Sequence, residues 1–364
     1  MHTHKTLIVL TTLLTATWAP AATFCVSTAQ MLELVLDITE DNGQDDHIKI
    51  KSGNYIPLNN YGFRFLLAEN HDLEISGSWN TDCSAQSLNP LDTVLDGDDS
   101  KRVISFFSNQ NSPTYTSNIR LSMMSINNGF YEEQLFLNSK AAGLAFEVTA
   151  NHGNHFLLEH LFFMGNRSNL ASAFRAEGRK VTVRNSIFFQ NESDIGTVSA
   201  LSEQFYFINN TVVSNTYYDQ FNGGQSDAGL LVSSFTDQAY VANNILRDNY
   251  GPDVVLHSAT TNYLYNNNYQ GLEGTADFSG NNMSADPQLV FFAPPITSPV
   301  VDKGRSEPSG IIPFPTPFHQ GWRHGDFDFL GADRVVNNQV DIGAIEALPE
   351  VPLFKNGFEQ TRGG

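Results

Sequence analysis

FINNTVVSN, residues 207–215, has four cognates in the same chain: LEHLFFMGN at 158–166, VRNSIFFQN at 183–191, VANNILRDN at 241–249 and LYNNNYQGL at 264–272. Aligned on their third residue (His160, Asn185, Asn209, Asn243 and Asn266), they recur at steps of 25, 24, 34 and 23 residues. That is the period of a solenoid rather than of a helical heptad, and the longer step reads as a coil with a loop insertion. Two residues before the aligned position stand Leu158, Val183, Phe207, Val241 and Leu264; three after it stand Phe163, Phe188, Val212, Leu246 and Tyr269. Every one is apolar or aromatic.

Inward positions on one strand are separated by an even number of residues, and these two columns are five apart, so the strand must bend between them. Asparagine is the non-glycine residue that best tolerates left-handed backbone angles, which puts the bend at the aligned position. Stacked coils place each such Asn about 4.8 Å above the last, and their side-chain amides are expected to hydrogen-bond along the stack. On the same register Phe207 points inward, and Ile208 outward, where a carboxylate should be tolerated. Earlier segments at 46–57, 71–80, 92–108 and 117–131 read as irregular members of the same stack. The expected fold is all-β: a single-stranded right-handed parallel β-helix of roughly nine or ten coils, about 45 Å tall, with an amino-terminal cap and an irregular carboxy-terminal closing segment. The expected division is a signal peptide at 1–21, the capped β-helix at 22–290, the closing segment at 291–350 and a short tail at 351–364.

The first of these rests on Lys5, the apolar run Leu7 to Leu14 and the small-residue site Ala19-Pro20-Ala21, the three parts of a secretory signal. Thr11, Thr12, Thr15 and Thr17 break the run below the length a membrane span needs. Export predicts that the only two cysteines, Cys25 and Cys83, are paired, clamping the first coil. With 20 basic and 39 acidic residues the net charge is −19, which disfavours nucleic acid and anionic membranes as partners and, away from a local basic patch, acidic polysaccharides too. One basic cluster stands out: Arg175, Arg179, Lys180 and Arg184.

Both ends add a resemblance. SADPQLV at 284–290, SPVVDKG at 298–304 and DFLGADRVVNNQVDIGAIE at 328–346 resemble the closing segment of secreted bacterial β-helix proteins known as choice-of-anchor Q domain proteins. The opening FCVSTAQMLELVL with GSWNTDC is similar to their amino-terminal cap, whereas the stretch between Gly304 and Asp328 is longer and richer in Pro and aromatic residues than the family linker. The resemblance implies an exported or surface-displayed protein of a fold class similar to pectate lyases. The tail PLFKNGFEQTRGG carries none of the usual anchor motifs, and Phe354, Gly357, Phe358 and Glu359 are its candidates for a sorting role.

A β-helix lyase needs a base of lowered pKa and a cation to neutralise the uronate carboxylate. The catalytic candidates are Lys180, just before a strand that starts at Val181, and Arg184, which alternates outward from Val183, so that both read as lining an external groove. Arg175 and Arg179 are candidates for binding, and Tyr217, Tyr218, Phe221, Tyr250 and Tyr265 are candidates for stacking on sugar rings. No cofactor is required by the pattern; calcium is the one cation to consider, at Asp96, Asp98 and Asp99, although three carboxylates in one turn more often make a solvated hairpin. The aspartate motifs of inverting glycosidases of this fold class are missing. Two readings of function follow: an extracellular scaffold that binds polysaccharide without catalysis, or a polysaccharide lyase or glycoside hydrolase with a divergent site.

Overall fold

A computed structural model of the chain describes residues 21–108, 115–132, 141–148, 155–217, 229–233, 236–257, 261–306 and 324–347. Residues 1–20 of the expected signal peptide, the tail 351–364, Tyr218 and Phe221 lie outside them. Ten strands, from Ala22–Val26 to Phe278–Gly280, stack in chain order and in parallel as the spine of the first sheet. Nine steps at strand spacing make a rod of about 43 Å. Eight strands from Phe63–Leu67 to Leu272–Gly274 form a second sheet, and four short ones from Phe130–Tyr131 to Thr216–Tyr217 a third. The protein is a parallel β-helix.

A single coil shows the plan. Strand Lys180–Arg184 belongs to the first sheet; the chain turns at Asn185, continues as Ile187–Phe189, turns again at Gln190, and crosses Glu192–Ser193 and Gly196–Ala200 before rejoining the first sheet one level on at Gln204. The two apolar columns pair as the repeats predict. Leu158, Val183, Phe207, Val241 and Leu264 are partners in successive strands, as are Phe163, Phe188, Val212, Leu246 and Tyr269. All but the partly buried Tyr269 sit in the main core. Coil spacing brings Phe163 and Phe188 face to face, with ring centroids 4.6 Å apart.

The bend is where the repeats place it: His160, Asn185, Asn209, Asn243 and Asn266 all have φ between 50° and 58°. The hydrogen-bonded stack, however, is one residue further on. Asn210, Asn244, Asn267 and Asn282 each accept, on Oδ1, the backbone N–H of the ladder residue one coil earlier at 2.8–3.0 Å. Each Nδ2 donates to a strand carbonyl of that earlier coil (Val183, Phe207, Val241, Leu264) at 2.8–3.0 Å. The second corner repeats the device. Asn128, Gly165, Gln190, Ser214 and Asp248 are left-handed, and the residues after four of them, Asn166, Asn191, Asn215 and Asn249, form a second ladder. The phrase N-N-x-x-x-x-N is thus two copies of one unit, a left-handed residue followed by a buried amide.

The bending column itself faces outward, and only Asn243 to Asn209 links along it, at 3.1 Å. Its amides hold the closing segment instead. Asn266 donates to the Lys303 carbonyl, Asn243 to Arg305, Asn209 to Asp341 and Asn185 to both His324 and Phe327, at 2.7–3.0 Å. The segment therefore lies along the flank of the coils. Ser284 and Ala285 lie on the same flank, where Arg247 donates to their carbonyls at 2.8 Å. The segment's own centre is the fully buried Arg334, bonded to Glu346 at 2.9 Å and to the Gly343 carbonyl.

At the other end helix Ala29–Thr39, capped by Thr28 Oγ1, lays Leu32, Val35 and Leu36 on the core and covers the first coil. Cys25 and Cys83 are bonded, closing a separation of 58 residues; chain entropy assigns such a loop about 4 kcal/mol. The register around Ile208 needs one correction. It points away from the core, yet it is 0% exposed, packed with Tyr206, Tyr240, Ala242 and Tyr263, so a carboxylate there is not tolerated.

The ladders make a direct prediction. Asn210→Ala strips the Ser186 N–H and the Val183 carbonyl of their partners in a buried corner, for a loss of about 2–4 kcal/mol. Gln190→Gly, at an exposed left-handed corner position, should leave stability unchanged or raise it. Urea unfolding of the two variants checks the pair, and equal losses would show that the amide ladder carries no weight.

Candidate functional site

Outward side chains of the first sheet form a charge alternation that the repeats do not advertise. Arg120 spans Glu74 and Glu159, at 3.0 and 2.6 Å, and Arg184 takes the other oxygen of Glu159 at 2.6 Å. Glu159 is 2% exposed. Burial pushes its pKa up, but Arg184, then His160 and Arg120, outweigh it and hold the carboxyl at about 2. On the same strand as Glu159, at its other end from the bend, His155 meets Thr182 Oγ1 at 3.1 Å, and burial, reinforced by Lys180 and Arg184, holds it at about 4. Burial also lowers Lys180, whose ammonium lies 5.1 Å from the centroid of the Tyr206 ring.

The basic cluster of the sequence is therefore not one cluster in space. Lys180 and Arg184 share a strand of the first sheet; Arg175 lies on the second sheet, paired with Glu177 at 2.9 Å; Arg179 sits in the turn between, 3.8 Å from Glu203. Three of the four cations have a carboxylate partner. The aromatic candidates separate too. Tyr217 and Tyr250 stack at 5.6 Å beside the third sheet, whereas Tyr265 packs against the tyrosine cluster of the first. Asp96, Asp98 and Asp99 form a turn in which Asp96 accepts the Asp98 N–H and the Asn128 and Asn54 amides. Asp98 and Asp99 are themselves left-handed, and no group of three metal-ligating side chains occurs among the described residues.

Two features escaped the sequence reading. Tyr206, Tyr240, Tyr263 and Phe278 form a ladder of parallel rings 4.6–4.9 Å apart on the outer face of the first sheet. Its signal was available, since Tyr recurs just before the inward column in three aligned repeats. These rings spend their faces on one another, which leaves edges rather than platforms for a ligand.

The second feature is an open groove of about 1230 Å³ running along the second corner. Its floor is the left-handed column Gly165, Gln190, Ser214 and Asp248, flanked by Met164, Phe189, Val213 and Arg247, which are in register across four coils. One wall is the closing segment at 286–292. There Val290 and Ala293 exchange backbone hydrogen bonds around a two-residue reversal whose middle residues are Phe291 and Phe292, at φ 50° and 76°. Such a turn ordinarily takes Asn-Gly, and a bulky residue in the left-handed region costs about 1–3 kcal/mol. Phe292 is anchored edge-on to Phe189 and Phe162, at 4.9 and 5.8 Å, while Phe291 is 56% exposed at the groove.

Compared with protein-family models, with curated proteins and with solved structures, the chain matches none. Among the described residues no helix is long and apolar enough to cross a membrane.

The first-sheet network fixes a pH dependence. Both Glu159 and His155 have native pKa values below their ordinary ones, so they contribute stability that is present at neutral pH and lost on acidification. For His155 the window is pH 6.5 to about 4, and for Glu159 it is 4.5 to about 2. Glu346, raised by burial to about 8 in spite of Arg334, works the other way and loses its contribution as pH rises toward 8. Melting temperatures of the parent and of His155→Asn between pH 7 and 4 separate the effects. The drop in that interval should be smaller in the variant, and identical profiles would remove His155 from the account.

Proposed function

We propose that this chain is an exported β-helix scaffold that binds polysaccharide along its flank and does not turn it over. The observation that carries the reading is the groove of about 1230 Å³, floored by amide, hydroxyl and carboxylate side chains at coil spacing and edged by an exposed aromatic ring. Polar groups that both donate and accept, next to an aromatic face, suit the alternating hydroxyls and C–H faces of sugars. A solenoid supplies them periodically, which matches a polymer better than a single small molecule. Export is supported by the apolar leader before Ala21 and by the Cys25–Cys83 bond. The resemblance of both ends to choice-of-anchor Q proteins points the same way.

One observation favours the lyase alternative. Lys180 has a lowered pKa and stands beside His155 on the outer face of the first sheet, as a general base for proton abstraction would. Against it stands Arg184, whose guanidinium is already committed to Glu159 at 2.6–2.7 Å.

The two readings part in one experiment. Purified protein is incubated with neutral and uronate-containing polysaccharides while unsaturated products are followed by ultraviolet absorbance and new reducing ends by a colour reaction. Binding without either product is expected, in the parent and in Lys180→Ala alike. β-Elimination by the parent that vanishes in Lys180→Ala would establish the lyase. Arg184→Ala is the poorer variant, because it removes one of two cations from the buried Glu159 and so lowers stability by itself.

A further inference from the structure

We infer that the groove along the second corner is the binding subsite, that it takes an uncharged glycan chain, and that Phe291 is its specificity-determining residue; this rests on the polysaccharide-binding reading above. Charge comes first. Glu192, Asp248 and Asp286 line the groove, and the one cation in its lining, Arg247, is buried with its Nη1 on the Ser284 and Ala285 carbonyls at 2.8 Å. Within the groove, then, carboxylates face a ligand and the guanidinium holds the wall in place. A uronate or sulfated polymer meets like charge over several coils, whereas a neutral sugar meets acceptors for its hydroxyls.

Geometry is the second argument. Gln190, Ser214 and Asp248 occupy equivalent left-handed positions in successive coils, so polar groups recur along the groove at about 4.8 Å. A ligand that repeats along its length can use every level.

The third argument is the strained turn. Backbone strain persists where surrounding structure over-determines it, and Phe292, wedged between Phe189 and Phe162, does so here. Its effect is to hold the neighbouring Phe291 ring, 56% exposed, at the groove edge. A glycine at 291 would relax the backbone but remove the ring. Sequence economy alone would favour glycine; the phenylalanine fits a platform for the apolar face of a sugar ring.

The test uses the full mature chain and a panel of neutral polysaccharides (β-glucan, mannan, galactan, dextran) beside polygalacturonate and alginate, with affinity read by gel retardation and calorimetry. The parent should bind at least one neutral polymer, with Kd unchanged between about 0.05 and 0.5 M salt. Phe291→Gly should weaken that binding at least tenfold while melting at the same or a higher temperature, and Phe291→Tyr should retain it. Glu192→Gln combined with Asp248→Asn, which removes two of the three carboxylates in the lining, should bring uronate binding up. Neutral binding that survives Phe291→Gly would move the site away from the groove, and a preference of the parent for uronates would refute the charge argument; in either case the polysaccharide-binding reading stands. Binding to no glycan on the panel would overturn both.

Discussion

The structure depends on one interaction: a buried asparagine amide that meets the backbone of the coil before it. Forcing a strand around a corner takes its N–H and C=O groups out of regular pairing, and in the interior of a solenoid no water replaces the lost partners. At most corners of the two ladders a left-handed residue makes the turn, and the asparagine that follows accepts one orphaned N–H and donates to one orphaned carbonyl. The same side chain passes a hydrogen bond to the next level, as Asn244 does to Asn267 at 2.9 Å. Because donor and acceptor belong to different coils, the device fixes both the corner and the stacking register. Where asparagine gives way to Ser186, the hydroxyl accepts the Leu161 N–H at 3.2 Å, a partial substitute in the ladder's first position.

Once the register is fixed from within, the outside is free to diversify. Outward neighbours of a single inward column carry an ion network at Glu159, a tyrosine ladder from Tyr206 onward, and docking amides for the closing segment at Asn185 to Asn266. None of these alters the path of the chain. Even the step of 34 residues between Asn209 and Asn243 leaves Phe207 opposite Val241 and Val212 opposite Leu246, so the added residues are accommodated off the columns. The wall of the groove follows from the same freedom. Arg247 stands where its register partners are Met164, Phe189 and Val213, and it uses the position to hold Ser284 and Ala285 against the flank.

The repeating part of the fold was legible because periodic burial leaves periodic residues. Inward columns and the bend could each be read from position alone, and the cysteine pair from the expectation of export and from there being only two cysteines. What could not be read is whatever depends on segments distant in sequence meeting in space. The bending asparagines look, in sequence, like the members of a ladder; that their amides face outward to Lys303, Arg305 and Asp341 needs the path of the closing segment. The burial of Ile208 is not legible in sequence for a related reason: strand alternation says which way a side chain points, not whether something covers it. The cluster Arg175, Arg179, Lys180 and Arg184 looked compact because sequence distance ignores that a coil changes sheet every few residues. The groove is invisible in sequence because its floor, Gly165 to Asp248, and its wall at 286–292 lie far apart in the chain.

The excess of acid over base bears on how such a surface selects a ligand. Several of the chain's cations are committed: Arg184 and Arg120 to Glu159, Arg175 to Glu177, Arg334 to Glu346, and Arg247 to backbone carbonyls. Each of these cations stabilises a local structure, and the remaining carboxylates outnumber the basic groups left over, given a net charge of −19. A protein so charged repels anionic polymers at long range whatever its local contacts, and salt weakens that repulsion without creating affinity. A glycan bound as proposed would be met by contacts that carry no net charge, namely amides, hydroxyls and aromatic faces. Along the described coils such groups line the open cleft at the second corner, Gln190, Ser214 and Phe291 among them. The amide ladder that turns each coil is thus also what spaces the polar floor of the groove, so the fold and the candidate site share one periodicity and one physical cause.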